Sequence, residues 1–80
     1  MFTIYSQPNC GPCIGLISGL KRRGIPHSVV NIRTDAAGRE RMERLGGTGT
    51  PFTVNEETGV SWQGVYPDRY TTTVELSRAG

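Results

Sequence analysis

Asn9-Cys10-Gly11-Pro12-Cys13 holds both cysteines of this chain, with two residues between them. The stretch lies between a short apolar segment, residues 2–5, and an amphipathic one, residues 14–23. A C-x-x-C sequence at a strand-to-helix junction is the arrangement that dithiol–disulfide exchange requires. Unpaired N–H groups and the positive end of the dipole at a helix N-terminus favour thiolate over thiol at the first cysteine. The second cysteine lies one helical turn further on, close enough to form a disulfide with the first.

Chain length and charge restrict the class of protein. The 80 residues predict one small domain, 1–80, and we expect a thin core because only 35% of the residues are apolar. The net charge of +2, from 9 basic and 7 acidic residues, is too small to indicate a nucleic-acid partner. Arginines at 39, 41 and 44 alternate with glutamates at 40 and 43, a pattern typical of a solvated helix face.

The cellular compartment follows from two further features. No apolar run approaches the roughly 20 residues that a bilayer requires, and residues 1–5 lack the basic region of a signal peptide. We therefore expect a cytoplasmic protein with no membrane partner. Two cysteines in a reducing compartment are more often catalytic or metal-binding than structural.

The first half of the chain predicts a strand and a helix. Residues 2–6 alternate aromatic and β-branched side chains, which indicates a buried strand. An N-cap at Asn9 or Cys10, Pro12 in the first turn and Gly24 after the last turn bound the helix. Its predicted apolar face is broad and consists of Cys13, Ile14, Leu16, Ile17 and Leu20.

A second strand and a second helix follow. Residues 28–32 predict a strand parallel to the first, because a helix connects the two. Thr34 or Asp35 is expected to cap a helix that runs to about Leu45, with Met42 and Leu45 in the core.

The remaining elements are a hairpin and a last helix. Residues 52–54 and 60–62, joined by a turn at 55–59, predict two antiparallel strands. Pro67-Asp68 predicts the start of a helix that packs through Tyr70, Val74 and Leu76. The predicted fold is α/β, with the order β-α-β-α-β-β-α and a four-stranded mixed sheet flanked by three helices.

This order and three motifs resemble the glutaredoxin/thioredoxin superfamily, and within it the NrdH-type redoxins. Residues 8–13 look like the redox loop, with the Gly-Pro filling (C-G-P-C) of thioredoxins. Thr50-Pro51 looks like the cis-proline that precedes the third strand. Residues 62–69, W-Q-G-V-Y-P-D-R, look like the W-S-G-F-R-P-D segment of NrdH-type proteins. The resemblance extends over residues 2–76.

The resemblance implies a thioredoxin-like fold and the activity of a dithiol–disulfide oxidoreductase. Family members carry electrons from thioredoxin reductase to ribonucleotide reductase and do not depend on glutathione. We accordingly expect a monomer without a bound cofactor, with these two enzymes as its partners. The resemblance also implies that the Thr50-Pro51 bond is cis. Cis geometry would leave the Thr50 backbone N–H and C=O facing the cysteines, where an extended substrate segment can pair with them.

The two cysteines have different predicted roles. Cys10 is the candidate nucleophile, since the helix N-terminus lowers the pKa of its thiol. Cys13, which faces the interface of helix and sheet, is the candidate resolving thiol. Gly11 and Pro12 form the rest of the redox loop. A structural disulfide is the alternative, but closure of so short a loop contributes little stability.

A metal site is a weaker interpretation of the same stretch. Structural zinc requires four ligands, and the chain offers two cysteines and one histidine, His27, so zinc would require a dimer. A bridged iron–sulfur cluster, known in some glutaredoxin relatives, is disfavoured by Pro12. His27 is predicted to be an exposed residue before a strand. We therefore predict no metal ligands.

Two interpretations remain open beside the main one. A glutathione-dependent glutaredoxin shares the chemistry, although Ser6-Gln7 stands where many glutaredoxins have a lysine for the glutathione carboxylate. A redox-inert binding module on the same fold is the other, and the intact cysteine pair argues against it. Trp62 and Tyr66, which flank Gly64, are interpreted as an apolar rim against which the reductase or the substrate docks. The alternative for Trp62 is packing on an edge strand.

Overall fold

The computed structural model describes residues 1–66 and 69–70. Its elements, in chain order, are β1 (Phe2–Ser6), α1 (Gly11–Arg23), β2 (His27–Asn31), α2 (Ala36–Arg44), β3 (Phe52–Asn55) and β4 (Ser61–Gln63). Arg69 and Tyr70 are helical. The rest of the predicted last helix, with Val74 and Leu76, lies outside the described residues. Over the described part the predicted order of elements is confirmed.

The four strands form one mixed sheet in the order β2-β1-β3-β4. β1 pairs parallel with β2, from Phe2 opposite His27 to Ser6 opposite Asn31. On its other side β1 pairs antiparallel with β3, which forms the predicted hairpin with β4. Because β1 is central, its carboxyl end places the cysteine stretch at the middle of one sheet edge. No helix in residues 1–66 or 69–70 has the length and hydropathy of a membrane span.

Helix α1 begins and ends at the residues that its sequence signals indicate. Cys10 is the N-cap, and Gly24 ends the helix in the left-handed region at a φ of 68°. The buried face is narrower than predicted, with Cys13, Leu16 and Leu20 inside. The prediction that Ile14 belongs to this face is wrong, because its side chain is 67% exposed. Ile14 lies about 100° around the helix from Cys13, beyond the edge of the buried stripe.

Helix α2 packs through fewer side chains than the sequence predicts. Asp35 is the N-cap, and its Oδ1 accepts the backbone N–H of Gly38 at 2.8 Å. Met42 is buried as predicted. The prediction that Leu45 enters the core is wrong, because the helix ends at Arg44 and Leu45, the C-cap residue, is 41% exposed.

The core lies on both faces of the sheet, as alternation along β1 requires. One cluster contains Phe2, Ile4, Leu16, Leu20, Ile25, Trp62 and Tyr70. The other contains Tyr5, Met42, Phe52 and Val54. β1 therefore contributes to both clusters, and α1 covers one face while α2 covers the other.

His27 differs from its prediction. It is the first residue of β2 rather than an exposed residue before that strand, and it is only partly exposed. Its ring Nδ1 lies 2.7 Å from the carbonyl oxygen of Ile25, to which it donates. Through this bond, His27 makes a structural contact at the start of β2.

Candidate active site

The two cysteines form a disulfide across the first turn of α1. Their Cα atoms are 5.2 Å apart. Cys10 is partly exposed, whereas the side chain of Cys13 is fully buried between α1 and the sheet. Only the first sulfur is therefore open to a large partner, and the second is held beneath it.

Cys10 is positioned by its role as the helix N-cap. Its backbone is extended, with φ −97° and ψ 95°, and its Sγ accepts the backbone N–H of Cys13 at 3.2 Å. Asn9 has a φ of 63°, which turns the chain into the helix. One of the N–H groups that every helix start leaves unpaired thus points at the sulfur. The local fold favours negative charge on Cys10 once the disulfide is reduced.

A second loop lies against the same sulfur. The Thr50-Pro51 bond is cis, as the resemblance implied. The hydroxyl of Thr50 lies 3.5 Å from Cys10 Sγ and donates to it, although the two residues are 40 positions apart in the sequence. The fold therefore brings together the cysteine pair and the cis-proline loop.

Two glutamines support this loop, and no sequence motif predicts this role for either of them. Gln63 Oε1 accepts the backbone N–H groups of Thr48 at 2.8 Å and of Gly49 at 3.2 Å. Gln7 Nε2 donates to the hydroxyl of Thr50 at 3.0 Å. In the sequence, each glutamine stands out only because it differs from the residue that a family motif has at its position. That difference does not reveal which groups the side chain bonds.

The predicted docking rim is only partly at the surface. Tyr66 is 48% exposed, and Gly64 has a φ of 105° that suits glycine. Trp62 is only 8% exposed and belongs to the core, which favours the packing interpretation of its role. The guanidinium of Arg69 lies 5.1 Å from the Trp62 ring centre and 4.7 Å from that of Tyr66. A cation at this distance from two aromatic rings is held by their electron-rich faces.

Comparison with known proteins identifies the family of this chain. The glutaredoxin family profile matches residues 2–54, which include both cysteines and the cis-proline. This chain belongs to the glutaredoxin family. With the disulfide at the C-x-x-C position, this glutaredoxin is a thiol–disulfide oxidoreductase. No curated protein matches it.

Solved structures establish the fold of this glutaredoxin as thioredoxin-like. The thioredoxin-like protein BC3987 is similar with a TM-score of 0.78 and 25% identity, over 90% of this chain and 97% of that one. The glutaredoxin-like NrdH-redoxin from Escherichia coli, described as having a thioredoxin-like activity profile, is similar with a TM-score of 0.77 and 22% identity. That similarity covers 89% of this chain and 91% of that one. The predicted resemblance is confirmed at the level of family and fold.

Proposed function

We propose that this glutaredoxin is a cytoplasmic electron carrier that reduces ribonucleotide reductase and is itself reduced by thioredoxin reductase. The observation that supports a dithiol mechanism is the unequal placement of the pair, with Cys10 accessible at the helix start and Cys13 buried behind it. The choice of partners is supported by the W-Q-G-V-Y-P-D-R segment and by the structural similarity to an NrdH-redoxin.

The first step of the proposed mechanism is attack by Cys10. In the reduced protein its thiolate attacks one sulfur of the substrate disulfide, forms a mixed disulfide and displaces the other substrate sulfur as a thiolate, which takes a proton from water. The Cys13 backbone N–H, 3.2 Å from Cys10 Sγ, stabilises the thiolate before attack.

The second step regenerates the disulfide seen in the structure. Cys13 loses its proton and attacks Cys10 Sγ, which breaks the mixed disulfide and releases the second substrate sulfur as a thiolate. The substrate has gained two electrons and the protein has lost two. A dithiol of the reductase then returns two electrons by the same exchange in reverse.

The substrate site in this proposal consists of the cis-proline loop and the surface beyond β4. Thr50 and Pro51 lie beside Cys10, where an extended segment of a partner can align. Gly64 supplies a partly exposed backbone turn, and Tyr66 supplies an exposed ring. Trp62, the third residue of the predicted rim, belongs to the core.

Glutathione dependence is the second candidate within the family. Glutaredoxins that use it commonly place a lysine at the position of Ser6-Gln7. Here the Gln7 amide is engaged on both sides, with Thr50 and with Arg33. This engagement favours the thioredoxin-type function over the glutathione-dependent one.

A coupled assay tests the choice of reductant. The oxidised protein is mixed with NADPH and thioredoxin reductase, or with glutathione, NADPH and glutathione reductase, and NADPH loss is followed. We expect turnover in the first mixture and transfer onward to oxidised ribonucleotide reductase. Turnover only with glutathione contradicts the proposal in favour of the second candidate. Turnover with neither, and no reduction of insulin, favours a redox-inert binding module.

Single cysteine variants test the order of attack. We expect Cys10→Ser to abolish disulfide reduction and Cys13→Ser to accumulate a mixed disulfide with the substrate, because the resolving thiol is missing. The adduct is detected by intact mass spectrometry and located by peptide mapping. An adduct on Cys13 of the Cys10→Ser protein would reverse the two roles.

A further inference from the structure

A continuous hydrogen-bond chain leads from a surface arginine to the nucleophilic sulfur. Arg33 Nε donates to Gln7 Oε1 at 3.2 Å. Gln7 Nε2 donates to Thr50 Oγ1 at 3.0 Å. Thr50 Oγ1 donates to Cys10 Sγ at 3.5 Å. All three donors point towards the sulfur, and the chain begins at a permanent positive charge.

Three separate parts of the fold supply the members of this chain. Gln7 follows the end of β1, Arg33 follows the end of β2, and Thr50 precedes β3. The parallel pairing of β1 and β2 continues in the bond from the Ile32 N–H to the Ser6 carbonyl at 2.9 Å, which brings Arg33 alongside Gln7. The N–H of Arg33 also donates to Asn31 Oδ1 at 2.9 Å. The arrangement is thus fixed by the sheet and by a local turn.

We propose that Gln7 and Arg33 are positioning residues that aim the Thr50 hydroxyl at Cys10 and so stabilise its thiolate. We name Arg33, Gln7 and Thr50 the thiolate relay. The inference rests on the proposed dithiol function, since it concerns the nucleophile of that reaction.

Hydrogen-bond capacity explains how the relay is oriented. An amide has one oxygen and one NH₂ group, and a hydroxyl has one hydrogen. Because Arg33 can only donate, it selects the oxygen of Gln7 and leaves the Gln7 NH₂ group facing Thr50. Because Thr50 accepts from Gln7, its own hydrogen is available for the sulfur. Hydrogen bonds to the charged form of a group favour that form, and a cationic donor at the start of the chain polarises each following bond.

The charged groups around the relay allow a matched control. Arg33, Arg39 and Glu43 line one pocket beside Gln7. Arg39 Nε donates to Glu43 Oε1 at 2.9 Å in an exposed ion pair, so its guanidinium is held by that carboxylate. Removal of the Arg39 charge changes the pocket without interrupting the relay.

The test is the pH dependence of Cys10 alkylation in the reduced protein. Iodoacetamide rates are measured from pH 4 to 10, with the modified cysteine located by mass spectrometry, and give the pKa of Cys10. We expect Thr50→Val, which keeps the side-chain shape, to raise this pKa by about half a unit or more. Gln7→Leu and Arg33→Gln should raise it by smaller amounts. Thr50→Ser should keep it near the wild-type value, and the control Arg39→Gln should leave it unchanged.

A double-variant cycle separates a relay from independent effects. If Gln7 acts through the Thr50 hydroxyl, adding Gln7→Leu or Arg33→Gln to Thr50→Val produces no further shift. Full additivity would overturn the relay, because it would show that the side chains act on the sulfur by separate routes. Unchanged pKa values in Thr50→Val and Gln7→Leu would also overturn it.

The measurement needs neither thioredoxin reductase nor a protein substrate. Failure of the reductase assay would therefore contradict the proposed partners and leave the relay supported or overturned by alkylation alone. Thermal melts of each variant are recorded alongside. A loss of stability without a shift of the Cys10 pKa counts as a structural role and overturns the inference.

Discussion

At the residue scale, the most informative property of the cysteine pair is unequal exposure. Cys10 is partly open and accepts two hydrogen bonds on its sulfur, one from the Cys13 N–H and one from the Thr50 hydroxyl. Cys13 is fully buried. Burial in apolar surroundings disfavours a thiolate, whereas donors and a helix N-terminus favour it. The surroundings of Cys10 therefore favour its thiolate, and those of Cys13, three positions further on, favour its thiol.

A single buried hydrogen bond provides the residue-scale prediction for stability. Tyr70 and Thr53 are both fully buried, and their hydroxyl oxygens lie 2.5 Å apart. We expect Tyr70→Phe to lower the free energy of unfolding by about 1–2 kcal/mol, because it leaves the Thr53 hydroxyl buried without this partner. Urea denaturation of the oxidised protein measures the change.

The matched control for this variant is Tyr66→Phe. Tyr66 is 48% exposed. When its hydroxyl is removed, water can therefore bond to any group that the hydroxyl contacted. Its substitution should change the stability by less than about 0.5 kcal/mol. Equal effects of the two variants would show that the Tyr70 hydroxyl contributes nothing specific to the core.

At the element scale, the glycines of the two helices differ in whether the structure has room for a side chain at their positions. By propensity alone each glycine in a helix interior is a weak point, about 1 kcal/mol worse than alanine. Gly38 in α2 lies close against β2, since a Cβ there would lie 2.5 Å from Val30 Cγ1. Gly15 in α1 is exposed, and a Cβ there would meet no described atom within 4 Å. The same residue type therefore marks a close helix–sheet contact in one helix and an unused position in the other.

Alanine substitutions at these two glycines should have opposite signs. We expect Gly38→Ala to destabilise the protein by about 1–3 kcal/mol, because α2 must move away from β2. Gly15→Ala should stabilise it by about 0.5–1 kcal/mol through helix propensity. Thermal denaturation of both variants measures the difference. Stabilisation by Gly38→Ala would show that α2 shifts without cost.

The elements could be predicted from the sequence because their signals are local. Caps, glycines and prolines fix where α1 begins and ends, and alternation marks the strands. The exposure of Ile14 and Leu45 could not be predicted, because it depends on how each helix rolls on the sheet. The hydrogen-bond partners of Gln7 and Gln63 could not be predicted from the sequence either. Gln7 bonds Thr50 across 43 positions, and Gln63 bonds Thr48 across 15.

At the scale of the whole molecule, one ion pair joins parts of the chain that are otherwise distant. Arg41 on α2 contacts both carboxylate oxygens of Glu56, at 2.7 and 2.8 Å, in the turn after β3. The same carboxylate accepts the Thr3 hydroxyl of β1 at 2.6 Å. Arg41 also donates to the Tyr5 hydroxyl at 3.1 Å. α2, the central strand and the hairpin are therefore connected at one charged site on the side of the sheet that α2 covers.

This site should make the stability of the fold depend on pH in the acidic range. The hydrogen bonds from Arg41, and next that from Thr3, lower the pKa of Glu56 from 4.5 to about 2. Because the folded state holds the charged form, the contribution of Glu56 is complete above pH 4.5 and is lost as the pH falls from there towards 2. Both side chains are more than a third exposed, so solvent screening limits the contribution to about 1 kcal/mol.

Urea unfolding from pH 7 to 2 tests this dependence. Glu56→Gln should be less stable than wild type at pH 7, and the difference should shrink below pH 4.5 and disappear near pH 2, since wild type then also holds a neutral side chain. Glu40→Gln is the matched control, because Glu40 is an exposed carboxylate on α2, and it should follow wild type throughout. A gap between Glu56→Gln and wild type that stays constant down to pH 2 would mean that the shape of the side chain, rather than its charge, holds α2 to the hairpin.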